Sequence, residues 1–179
     1  MQSIVGFGHD RQEADFYPTP SSTTEALFFR EKFIGEVWEC ASGNGMMSKI
    51  IEKYNKCYSS DLRQDYDIYG DKGVDFLLSS RRTENIITNP PYRYAEKFVT
   101  QAMRLAEYKV AMLLKLVFLE SSSRYELFKQ YPPRTIYVFC QRQKIYKDGI
   151  VGENSGLIAY AWFVWEKGFN GKPSIEWIR

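Results

Sequence analysis

Histidine is almost missing from this chain: His9 is the only one in 179 residues. Metal centres and Ser-His or Cys-His catalysis lean on imidazole, so no metal and no histidine base are expected. Cysteine is scarce too. Cys40, Cys57 and Cys140 are widely spaced and odd in number, without metal-ligand spacing or a disulfide framework, which fits a reducing cytoplasm. Long hydrophobic runs are lacking. Residues 110–119 form the longest candidate, but they contain Lys115 and fall far short of a membrane span. The opening residues 1–6 carry no secretory hydrophobic segment. A net charge of +2 excludes a strongly acidic or basic field, while leaving room for a nucleic-acid partner. No repeat, low-complexity tract or linker interrupts the chain, so residues 1–179 are expected to form one domain, with 1–20 as an extension that reaches the functional site.

What is present is a globular balance, 44% hydrophobic against 26% charged, enough to build a substantial core. Short apolar segments alternate with helical patterns. Strands are expected at residues 35–41, 57–60, 73–77, 85–88, 109–119, 135–140 and 157–166, and helices at 21–32, 45–54, 95–108 and 121–130. Strands alternating with helices imply a largely parallel sheet covered on both faces. The last two strands, joined only by residues 141–156, suit an antiparallel hairpin.

The most specific feature is Asn89-Pro90-Pro91-Tyr92, directly after the apolar run 85–88. Neither proline offers a backbone N–H, so the strand must stop and leave by a loop of nearly fixed shape. Such a loop can aim the Asn89 side-chain oxygen, the Pro90 carbonyl and the Tyr92 ring into one pocket. An incidental Pro-Pro turn is the plain alternative.

Three further segments lie upstream. Residues 39–45, Glu39-Cys40-Ala41-Ser42-Gly43-Asn44-Gly45, close one strand and open a helix, and Gly43 and Gly45 allow a tight turn or close approach to a ligand. Asp61 ends the second strand, where a carboxylate could accept bonds from two ribose hydroxyls or cap a helix. Asp75 and Phe76 end the third, where the acid could meet an adenine amine and Phe76 or a neighbour could pack on the ring; capping serves Asp75 equally. The rigid stretch Tyr17-Pro18-Thr19-Pro20 precedes a helix N-terminus and reads either as punctuation or as part of a carboxylate site.

Taken in this order, these residues resemble the DNA adenine-N6 methyltransferases, which use S-adenosylmethionine (SAM), and most closely the small phage- and prophage-type enzymes. The resemblance covers roughly residues 15–166 and implies a Rossmann-like class I methyltransferase: α/β, seven strands, mostly parallel, with a terminal antiparallel hairpin. It implies that Tyr17 and Thr19 flank the methionine part of SAM, and that Glu39, Ala41, Gly43 and Gly45 hold it. Asp61 would take the ribose, Asp75 and Phe76 the adenine, and Asn89, Pro90, Pro91 and Tyr92 would form the catalytic pocket. DNA is the implied partner, with Tyr92, Arg93, Arg142, Lys144 and Lys147 as contacts and Arg81 and Arg82 as further candidates; solvated surface charge is the alternative for each. Larger members carry a separate target-recognition domain, and no segment here reads as one. Specificity is therefore expected from short loops or a partner. RNA and protein-glutamine methyltransferases also use Asn-Pro-Pro-Tyr, and a non-catalytic binding module with this fold is the remaining alternative. None of the three cysteines follows a proline, so the covalent route of C5-cytosine enzymes is excluded.

Overall fold

The computed structural model describes residues 18–65, 67–143, 145 and 158–179. Eight strands form one sheet: β1 (Val37–Glu39), β2 (Cys57–Asp61), β3 (Asp71–Lys72), β4 (Thr83–Thr88), β5 (Ala106–Lys115), β6 (Thr135–Phe139), β7 (Tyr160–Glu166) and β8 (Ser174–Ile178). Their order is β3-β2-β1-β4-β5-β7-β6-β8. Only β7 runs antiparallel, between β5 and β6. The expected hairpin is therefore present, but β7 folds back inside β6 rather than outside it. The expectation of seven strands is corrected to eight, because β8 adds a parallel edge on β6.

Alternation sorts the strand residues into two cores. On one side Trp38, Ile86, Val110, Met112, Leu114, Phe163 and Trp165 pack against α3 (Ala95–Leu105), with Leu127 and Phe128 of α4 (Tyr125–Gln130) beside them. On the other side Ile87, Ala111, Leu113, Trp162 and Val164 meet Ala26 and Leu27 of α1 (Ser21–Phe28) and Met47 and Ile51 of α2 (Met46–Ile51). Period-two sorting through β5 and β7 leaves helices on both faces. Each large side chain so buried contributes on the order of 2 kcal/mol.

Two boundaries moved for local reasons. The third strand was expected at residues 73–77, yet β3 is two residues long. Gly73 adopts φ 71°, and the Asp75 carboxylate captures the Leu77 N–H at 3.0 Å, turning Phe76–Leu78 into a 3-10 turn. Strand β5 ends at Lys115, with Leu116–Leu119 leaving as a 3-10 turn.

From β1 the chain winds outward through β2 to β3, then returns to place β4 on the other side of β1. Such a reversal opens a crevice beyond the carboxyl ends of β1 and β4, where open α/β sheets bind ligands. Residues 39–45 and 89–92 leave those two strand ends.

Candidate active site

Glu39, the last residue of β1, is only 1% exposed. Its Oε1 accepts the Thr88 hydroxyl at 2.6 Å and the Ala41 N–H at 3.1 Å. Among the described residues no lysine or arginine pairs with it. Burial raises its pKa to about 8 against the pull of those two hydrogen bonds, and the nearby Asp61 charge pushes the same way. A buried carboxylate without a cation is costly to keep ionised, so this position is suited to a cationic ligand.

The turn beyond Glu39 is stitched to β2. Ser42 donates its N–H to the Ser60 carbonyl at 3.0 Å, and Gly43 donates its N–H to Asp61 Oδ2 at 2.9 Å. Gly45 caps α2 with φ 78°, a left-handed conformation that favours glycine. A Cβ on Gly45 would lie 2.4 Å from Cγ of Tyr69. Tyr69 is tied down in turn, its N–H donating to the Gly43 carbonyl at 2.8 Å and its carbonyl accepting the Ser42 hydroxyl at 2.6 Å. Glycine at 45 thus answers a demand of the protein's own packing, in keeping with the tight turn that was one of the two sequence readings.

Asp61 is 8% exposed and holds two backbone amides, Gly43 on Oδ2 and Arg63 on Oδ1 at 2.8 Å. It shapes the turn, and the remaining lone pairs of its oxygens are its capacity for a ligand. Phe76 needs correction. Its ring is buried, 5.2 Å from the Trp38 ring in an edge contact and 4.9 Å from Phe98, so it belongs to the core and cannot pack on a ligand ring. Leu62, which follows Asp61 at the end of β2, is an apolar side chain left 39% exposed.

At the end of β4, Pro90 is buried and Pro91 half-buried, and a 3-10 turn over Tyr92–Tyr94 runs straight into α3. Asn89 donates Nδ2–H to Oγ1 of buried Thr19 at 3.0 Å. The Tyr92 ring lies 5.9 Å from that of Tyr160, with the Lys115 ammonium 4.4 Å from its centroid. Thr88, Lys115, Tyr160 and Tyr69 were not singled out from the sequence. Only Lys115 left a signal there, a lone charge ending an apolar strand.

Arg93 is exposed beside this loop, its guanidinium 4.8 Å from the Tyr94 ring, and Arg142 is also exposed. Arg81 and Arg82 are corrected as candidate contacts. They precede β4 at the amino ends of the strands, opposite to Asn89–Tyr92, where Arg81 pairs with Glu36 at 2.6 Å and Arg82 approaches Glu107 at 3.9 Å. Tyr17, Lys144 and Lys147 lie outside the described residues. Among the described residues no three His, Cys, Asp or Glu side chains are grouped to hold a metal ion, and no helix is long and apolar enough to cross a membrane.

The strand order, with β7 antiparallel between β5 and β6 and a glycine turn leaving β1, is that of the class I SAM-dependent methyltransferases. Solved structures of that class superpose on this chain. One, assigned as the modification subunit of a type I restriction enzyme from Vibrio vulnificus, gives a TM-score of 0.62 at 12% identity, covering 92% of this chain and 46% of its own. A type I restriction-modification methyltransferase subunit from Streptococcus thermophilus gives 0.63 at 11% identity, covering 87% and 45%. A third, assigned as an RNA methyltransferase from Pyrococcus horikoshii, gives 0.60 at 13% identity, covering 95% and 94%. The chain therefore spans less than half the length of the first two. No family model and no curated protein sequence matches it.

Proposed function

We propose that this protein transfers a methyl group from SAM to the N6 amino group of adenine in DNA, acting as a single-domain cytoplasmic enzyme. The observation that carries the reading is the joining of two half-sites: Thr88, which precedes Asn89, donates its hydroxyl to the buried Glu39, which pairs with no lysine or arginine among the described residues. The residues fit SAM, whose ammonium and sulfonium are cations suited to the buried Glu39 carboxyl. Glu39, Ala41, Gly43, Gly45, Thr19 and Tyr17 would hold its methionine part, Asp61 the ribose, and Asp75 the adenine, with Leu62 replacing Phe76 as the apolar contact. Bound there, SAM supplies a methyl group already activated for displacement.

The chain's own work is positioning. Adenine N6 is a poor nucleophile because its lone pair is delocalised into the ring. Acceptors from Asn89 Oδ1 and the Pro90 carbonyl against its two hydrogens favour a pyramidal nitrogen with an available lone pair. No histidine base is needed, because the product nitrogen can lose its proton to solvent. In duplex DNA the target base must leave the stack and pack beside Tyr92. Arg93 and Arg142, with Lys144 and Lys147, would contact phosphates, giving salt-sensitive binding and short or relaxed target sites.

The superposition on an archaeal protein assigned as an RNA methyltransferase, which this chain nearly matches in length, favours RNA as the second reading. Incubating the purified protein with methyl-labelled SAM and DNA, RNA or a protein extract separates the two. Label entering DNA supports the proposal, and label entering RNA or protein alone overturns it.

A further inference from the structure

We propose that Arg93 and Lys97, gathered over the single ring of Tyr94, form a clamp for the phosphate backbone of the DNA strand that carries the base to be methylated. The inference rests on the DNA-methyltransferase reading and deepens it. The sequence offered Arg93 as one contact, whereas Tyr94 and Lys97 make it part of a built surface and fix where the strand runs.

The clamp begins where the Asn89–Tyr92 loop ends. Arg93 and Tyr94 complete the 3-10 turn that follows Pro91, and Lys97 lies in the first turn of α3. Both cations are exposed, while Tyr94 is half-buried and packed against the core. The Arg93 guanidinium stands 4.8 Å and the Lys97 ammonium 5.9 Å from the centroid of the Tyr94 ring. An aromatic face attracts a cation without cancelling its charge, so the ring gathers the two groups and leaves their charge for an anion. Like charges four positions apart repel, and no carboxylate offsets that here. Among the described residues neither Arg93 nor Lys97 meets one, because Glu96, between them in sequence, is taken by Arg124 at 3.0 Å.

The amino ends of the strands show the contrast. There Lys56 and Arg81 pair with Glu36 at 3.1 and 2.6 Å, Arg82 approaches Glu107 at 3.9 Å, and Arg134 pairs with Glu166 at 2.9 Å. Cations are neutralised by carboxylates at that end, but these two, beside Asn89, are not. A polyanion is the occupant their charge complements. Because Arg93 directly follows Tyr92, a phosphate held there belongs to the nucleotide being flipped or to its neighbour.

Arg93→Gln and Lys97→Gln each remove one charge from an exposed position, and Arg82→Gln removes one from the opposite end of the strands as a charge-matched control. Binding of a fluorescent DNA oligonucleotide, followed by anisotropy across a salt series, needs no methyl transfer. The plot of log affinity against log salt should become shallower by about one in each clamp variant and by about two when both are changed. Affinity at about 0.1 M salt should fall on the order of fivefold or more in each, while Arg82→Gln matches wild type. Tyr94→Leu keeps an apolar group and loses the aromatic face, for about a threefold loss. An unchanged slope in Arg93→Gln or Lys97→Gln, an equal loss in Arg82→Gln, or no DNA bound by the wild type would each overturn the clamp. RNA bound in place of DNA would overturn its occupant. Slopes that fall as expected, in a protein that leaves adenine N6 unmethylated, would instead overturn the reading of function and uphold the clamp.

Discussion

The Thr88 hydroxyl donates to Glu39 Oε1 at 2.6 Å, joining the last residue of β1 to the residue immediately before Asn89. Parallel pairing of β1 with β4 brings these strand ends side by side, and the side-chain bond joins them. Anything that changes the charge on Glu39 changes the strength of a hydrogen bond at the root of the Asn89–Tyr92 loop, because a bond to a carboxylate is stronger than one to the neutral acid.

Cofactor binding should therefore depend on pH through Glu39. Its pKa near 8, above its ordinary 4.5, leaves it mostly protonated in the free protein at neutral pH. An approaching cation lowers that pKa and expels the proton, so SAM affinity should rise with pH and level off above about 8. Calorimetry in buffers of different ionisation enthalpy should report up to one proton released, and Glu39→Gln should remove that contribution.

The same group sets a stability trend of opposite direction. Between pH 4.5 and about 8 the folded state holds a proton that the unfolded state has lost. The stabilisation is fully present below the lower value and is lost as pH rises through the upper one. Denaturant midpoints at pH 5 and pH 8 should differ more for wild type than for Glu39→Gln.

Gly45→Ala should destabilise the protein before any ligand is considered. A left-handed non-glycine residue costs roughly 1–2 kcal/mol, and the new Cβ meets the Tyr69 ring besides. Adding Tyr69→Ala removes the ring but keeps the Tyr69 Cβ, 2.6 Å from the new methyl, so it should recover only part of the steric cost and none of the backbone cost, as read from unfolding midpoints.

Glu31 offers a control far from the site. Its buried carboxylate pairs with Lys109 at 2.7 Å and with Arg134, and accepts the Tyr137 hydroxyl at 2.7 Å, tying the approach to β1 to β5 and β6. Glu31→Ala should cost on the order of 2 kcal/mol of stability through the lost charged hydrogen bonds and should leave SAM affinity unchanged.

Much of this architecture was legible in the chain because its core strands are apolar and alternate. The run through β5 sorts residue by residue onto two faces, and the Asn-Pro-Pro stop marks the end of β4 without ambiguity. β8 was not legible. It carries Glu176 between exposed Ile175 and Trp177, and its place is set by pairing with β6 some forty residues earlier in the chain. Local geometry was readable where a backbone rule applied, as at Gly43, Gly45 and Pro90. The site was misread where one residue type serves two ends: Phe76 after an acid suits a ligand ring or a core, and only Trp38 and Phe98 decide for the core. Thr88 passed as the end of an apolar run, since nothing local reveals a partner on the neighbouring strand.

The central claim is that Asn89 serves methyl transfer to adenine N6, and nucleoside analysis of DNA treated with the protein and SAM tests it most directly. Wild type should yield N6-methyladenine. Asn89→Ala should lose on the order of a hundredfold in rate while still binding SAM, by analogy with removal of a preorganised transition-state partner, and at a stability cost of about 1 kcal/mol for the lost Thr19 bond. A different methylated nucleoside, or N6-methyladenine formed by Asn89→Ala at the wild-type rate, would contradict the account.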